Sequence, residues 1–147
     1  MKKLIICIII MCLVFLTTAC SEPTTTSTLT KDNYSNFLIF EYEIENCVVN
    51  DKTYYCNIVV STKSKKEAKF SDAELTFTLY CFGFATYNSK HITSNSSFAL
   101  LNKYTIYIDE DGVGSTTVNM KSTTLKGFPS TNNLKLTVQK ISGNVIY

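Results

Sequence analysis

The chain has no arginine, no tryptophan, a single histidine, two prolines and five glycines in 147 residues. Without arginine it lacks the planar fork that grips phosphate or carboxylate bidentately, which argues against a nucleic-acid reader. So little glycine and proline excludes collagen-like and proline-rich chains. A surplus of charge is missing too. The 14 lysines face 12 carboxylates, and setting aside Lys2 and Lys3 leaves 12 against 12, so no global field remains to steer a polyanion. No G-x-S-x-G, Walker loop, H-E-x-x-H or S-x-x-K occurs, so no catalytic motif and no cofactor is expected. What is present is apolar: 45% of residues are hydrophobic and 12% aromatic, too many for a disordered chain.

The apolar character starts at once. Met1-Lys2-Lys3 is a basic opening, and residues 4–16 form an unbroken apolar run. As a helix this run is about 20 Å long, at roughly 1.5 Å per residue. A bilayer core needs about 30 Å, so the run fits a signal-peptide helix better than a membrane span. Thr17-Thr18-Ala19-Cys20 follows, a small-residue cleavage site ending in cysteine.

This N-terminus resembles the lipobox of bacterial lipoproteins. In that family the cysteine thiol receives a diacylglyceryl group and the chain is cut just before it. The resemblance implies a signal peptide over 1–19, lipidation at Cys20 and attachment to the extracytoplasmic face of the cell membrane. Thr17 stands where the family usually has leucine, with Leu16 one place earlier. An ordinary secretory signal cut after Ala19 and an uncleaved anchor are the alternatives. Two or more acyl chains on one cysteine hold a protein stably where one would not.

Residues 21–33 are polar apart from Leu29 and have no periodicity. With Cys20 they read as a flexible Ser/Thr-rich linker over 20–33, spanning at most about 45 Å when stretched. The rest, 34–147, reads as one all-β domain. Leu38, Phe40, Tyr42 and Ile44 alternate with Ile39, Glu41, Glu43 and Glu45. After a turn at Asn50-Asp51-Lys52, Tyr54, Cys56, Ile58 and Val60 repeat the pattern. Leu75, Phe77, Leu79 and Cys81 form a third alternation, and Tyr104, Ile106 and Ile108 a fourth. A weaker strand is expected over 114–120, and a last one from Leu134 that bends near Gly143. Period two signals half-buried strands. Six to seven of them with polar turns predict an immunoglobulin-like antiparallel β-sandwich.

Phe77-Thr78-Leu79-Tyr80 resembles the start of the F-x-L-Y-D signature of the FxLYD domain, a small extracellular β-sandwich without established activity. The resemblance would cover about residues 50–140 and departs at Cys81, where that signature has aspartate. An unrelated sandwich or barrel is the alternative.

Of six cysteines, Cys7 and Cys12 lie in the signal and Cys20 at its end, leaving Cys47, Cys56 and Cys81 for the domain. Export permits a disulfide. A two-residue Asp51-Lys52 turn sets Cys47 opposite Cys56, but it also sets Ile58 opposite Glu45 and spoils the shared apolar face. A bulge or longer turn would restore that face. Pairing of Cys56 with Cys81 across the core, and three buried thiols, are the other readings. No C-x-x-C spacing points to a metal.

Four further features suggest chemistry, each with a plainer reading. His91, in Asn88-Ser89-Lys90-His91-Ile92, reads as an ordinary polar-loop residue. Asp109 and Asp111, in Asp109-Glu110-Asp111-Gly112, are calcium candidates, or a solvated acidic turn. Residues 63–69 hold four lysines that could meet an anionic surface, or keep a loop soluble. Tyr54, Tyr55, Tyr80, Phe82, Phe84 and Tyr87 fill the core or form a binding patch. The sequence therefore predicts a non-catalytic surface lipoprotein. Its partners would be the membrane, through Cys20, and a protein or envelope polymer bound by the sandwich. An accessory subunit of a membrane complex and a carboxylate-dependent enzyme are the other readings.

Overall fold

Strands make up most of the chain that the computed structural model describes, residues 24–82, 85–87, 90–92, 97–99, 102–123 and 128–147. In order they are β1 (Thr26–Thr28), β2 (Leu38–Asn50), β3 (Thr53–Ser64), β4 (Lys69–Phe82), β5 (Ala85–Tyr87), β6 (Lys90–Ile92), β7 (Ser97–Ala99), β8 (Tyr104–Ile108), β9 (Gly114–Ser122) and β10 (Leu134–Ile146). Two 3-10 turns, Tyr34–Asn36 and Thr131–Asn133, are the only helical elements among the described residues. The expected signal helix lies outside them.

The fold is all-β, with two antiparallel sheets enclosing one core. One sheet runs β1-β10-β4, with β7 and β8 both paired to β4; the other runs β2-β3-β9. β5 and β6 form a separate hairpin. The inward residues are those the alternation marks: Ile58 and Val60 from β3, Leu75, Phe77 and Leu79 from β4, Ile106 from β8, Val118 and Met120 from β9. Phe77 and Leu79 of the F-x-L-Y segment are fully buried. Their spacing follows from the pleat, which sends every second residue to one face. Burying one such side chain contributes about 1.5–3 kcal/mol, so this stripe dominates the stability of the domain.

The six longer strands match the expected segments, and the last bends where predicted. Gly143 has φ +107°, and the β10–β4 register shifts between Ser142 and Asn144. A Cβ on Gly143 would lie 2.5 Å from the Ala73 Cα, so glycine alone lets the two strands approach there. Four short strands were not expected, because three-residue pairings carry no periodicity. β6 contains His91, which is therefore on a strand rather than in the expected loop.

The expected linker is corrected. From Thr25 onward the segment belongs to the sandwich. β1 pairs with the end of β10, the Thr25 and Tyr147 main chains exchange hydrogen bonds of 2.8 and 3.0 Å, and the Leu29 N–H donates to Gly143. Asn33 then pins the chain, its Oδ1 accepting from Thr30 N–H and its Nδ2 donating to the Thr28 carbonyl. Leu29, only 1% exposed, fills the core. One well-placed leucine and a free sheet edge outweigh a composition that otherwise favours disorder.

Candidate functional site

Cross-strand register gives the sandwich two distinct ends. At one end Thr25, Tyr147, the start of β4 and the 109–113 turn come together: Phe37 stacks on Tyr147 at 5.0 Å, and the Phe70 N–H donates to the Glu110 carbonyl. At the other end lie the β2–β3 hairpin, the end of β4 and the start of β10, joined by an edge-to-face contact of Tyr54 and Phe128 at 5.4 Å.

The first end holds the acidic turn and the lysine stretch. Asp109 Oδ1 accepts from the N–H groups of Asp111 and Val113, so its carboxylate closes the β8–β9 connection. Gly112, at φ +82°, completes that turn against Phe70. Asp111 pairs with Lys69, whose ammonium this contact holds above the usual lysine range. Among the described residues no third ligand joins Asp109 and Asp111 in a metal-holding group. Three of the four lysines in 63–69 are engaged as well. Lys65 donates to the Ser35 carbonyl at 2.6 Å, Lys66 lies 5.7 Å from the centre of the Phe37 ring, and Lys69 holds Asp111. These contacts tie the loops at this end together.

The far end is built differently. Asn50 pairs with Thr53 across a two-residue turn whose Asp51 and Lys52 have φ of +46° and +64°. That is the sign combination of a hairpin turn matched to strand twist, here without the usual glycine. The register follows this turn as far as Val48 opposite Tyr55, then shifts, so that Glu45 lies opposite Asn57 and Ile44 opposite Ile58. The intervening bulge has Asn46 at φ +49° and joins Cys47 to Cys56 by a disulfide, with Cα atoms 4.3 Å apart. Of the three cysteine readings, the structure has the bulged Cys47–Cys56 pair. The bulge puts the two sulfurs together and keeps Ile44 and Ile58 on the core face.

Cys81 is unpaired and fully buried, and burial pushes its thiol up to about 11, far from thiolate reactivity at neutral pH. Burial likewise raises the Tyr42 phenol, with the Leu136 main chain acting against the shift.

Beyond the disulfide the hairpin exposes two valines behind a polar Asn50-Asp51-Lys52-Thr53 turn. Val49, 52% exposed, lies opposite Tyr54, whose ring Phe128 meets; Val48, 56% exposed, lies opposite Tyr55 on the other face, where Lys121 sits 5.7 Å from the Tyr55 ring centre. Of the expected aromatic patch, the structure brings Tyr54 and Tyr55 to this hairpin and sends Tyr80 to the outer face of β4, opposite Lys135. Phe84 and Cys20 lie outside the described residues. Sequence reasoning missed Val48, Val49 and Phe128. A valine pair before a turn was the available signal, but only register reveals that neither faces a closed core. Comparison with protein-family models, curated proteins and solved structures found no match to this chain.

Proposed function

We propose that this chain is a lipid-anchored, non-catalytic extracytoplasmic lipoprotein whose β-sandwich binds another protein or an envelope component. The supporting observation is a short interval: Thr26, the first strand residue, follows the lipobox-like Thr17-Thr18-Ala19-Cys20 by only six positions. Six residues reach at most about 20 Å. The end carrying Tyr147 and the 109–113 turn then faces the bilayer, and the disulfide-stapled hairpin with Val48, Val49 and Phe128 points outward. A hairpin held by a disulfide, with two exposed valines behind its polar turn, loses little entropy on docking, which favours it as the contact surface. The Phe77-Thr78-Leu79-Tyr80 resemblance to FxLYD domains belongs to the same reading, that of a small extracytoplasmic sandwich.

The anchor is tested by metabolic labelling with a radioactive fatty acid. The wild type should be labelled and Cys20→Ala should not; equal labelling of both ends the proposal. The contact surface is tested by membrane-impermeant crosslinking on intact cells. A crosslinked species should form with the wild type and be lost in Val48→Lys/Val49→Lys. An adduct that persists in that variant places contact elsewhere.

A further inference from the structure

The β2–β3 hairpin carries two registers at once. Below the bulge, partners are set by Ile44 opposite Ile58; above it, by Asn50 opposite Thr53, one residue out of step. The mismatch is concentrated at Asn46 and Cys47, and Cys47 is bonded there to Cys56. Maintaining it requires three non-glycine residues in left-handed backbone, Asn46, Asp51 and Lys52. Nothing in the pattern of apolar residues demands this arrangement, since Val48 and Val49 are both more than half exposed.

A second arrangement is available to the same residues. If the lower register continued to the tip, Asn46 would face Cys56, Cys47 would face Tyr55, Val48 would face Tyr54 and Val49 would face Thr53. The turn would become the three residues Asn50-Asp51-Lys52, a common hairpin loop length. Because side chains alternate with period two, a one-residue slip exchanges faces for every residue that moves. Val48 would turn to the core side beside Tyr54, Val49 would turn out, and Cys47 would point to solvent. The bulge would disappear, and the strain at Asn46 with it. Opposing the slip, Asn46 would turn inward at the rim of the core. The disulfide forbids it outright, because Cys47 cannot leave Cys56 while the bond is intact.

We infer that the Cys47–Cys56 disulfide is a redox-controlled register latch, whose opening by a dithiol reductant lets residues 46–50 slip one place along β3 and exchanges Val48 for Val49 on the outer face of the tip. In the reaction one reductant thiolate attacks the disulfide and its second thiol resolves the mixed disulfide. Two electrons pass to the protein, Cys47 and Cys56 each end with a proton, and the reductant leaves as its own disulfide. Cys81 takes no part, being buried and protonated at neutral pH. The inference does not depend on lipidation, and its failure would leave the anchor proposal untouched.

The test uses the full chain in detergent, isotopically labelled, with and without dithiothreitol. Oxidised protein should show cross-strand proton contacts of Val48 with Tyr55, replaced on reduction by contacts of Val48 with Tyr54, while Ile44 stays opposite Ile58. A brief iodoacetamide pulse on the folded reduced protein should modify Cys47 at least tenfold faster than Cys56 or Cys81. Cys47→Ser/Cys56→Ser should show the slipped contacts without reductant. Retention of the Val48–Tyr55 contact after reduction, equal modification of Cys47 and Cys56, or loss of the Ile44–Ile58 pairing would each overturn the latch.

Discussion

Leu29 decides whether residues 25–33 are tether or domain. It is the only large apolar side chain in an otherwise polar segment, and it is buried to 1% exposure. Replacing a buried leucine by alanine removes its transfer energy and leaves a cavity, together about 2–5 kcal/mol. A domain of this size has about 5–15 kcal/mol in all, so the loss is a large share of its stability. Leu29→Ala should therefore lower the unfolding free energy by about 3 kcal/mol. Asn33→Ala, which removes two hydrogen bonds to the Thr28 and Thr30 main chains, should cost about 1 kcal/mol. Lys31→Ala, at an exposed position, should stay within about 0.5 kcal/mol. The assay is urea unfolding of protein beginning at Ser21, followed by far-ultraviolet circular dichroism and by tyrosine emission, which no tryptophan obscures. The midpoint should fall with an unchanged slope, because the same surface is exposed on unfolding. If Leu29→Ala behaves like Lys31→Ala, the segment is a tether, and the short distance between anchor and sandwich goes with it.

Other outcomes follow from the same geometry. Gly143→Ala places a Cβ 2.5 Å from the Ala73 Cα at φ +107°, and should destabilise the protein by at least about 2 kcal/mol in a thermal melt. Asp109→Ala frees two turn N–H groups and should cost about 1–2 kcal/mol, whereas millimolar calcium should leave the melting temperature of the wild type unchanged; a rise of several degrees would reopen a metal site there. For Cys81, the folded-state thiol ionises near 11 and the unfolded one near 9.0, so the unfolded chain loses its proton first. This contribution to stability is complete below pH 9 and declines between pH 9 and 11. Tyr42 and Lys69 slope the same way, so the measurement is the difference between wild type and Cys81→Ala, which should lose part of that alkaline decline.

Period-two alternation alone located β2, β3, β4, β8, β9 and β10, because a strand with one face in a core must place an apolar residue at every second position. It also marked most of the core, and it posed the conflict between the Asp51-Lys52 turn and the Ile44–Ile58 face. Three matters were left to tertiary structure. Leu29 could be seen as apolar but not as buried, since its burial requires the far end of β10, more than a hundred residues away, to supply a free edge. The acidic turn and the lysine stretch read as possible sites because charge clustering has no direction in one dimension; in space Asp109 closes its own turn and Lys69 meets Asp111. The pairing of Cys47 with Cys56 depended on where a single extra residue sat in a ladder. Local pattern therefore determined which residues become strands and which of their faces is apolar. Register, edge pairing and the reach of side chains across the sandwich, which arise only from contacts distant in sequence, decided what the polar residues and cysteines do.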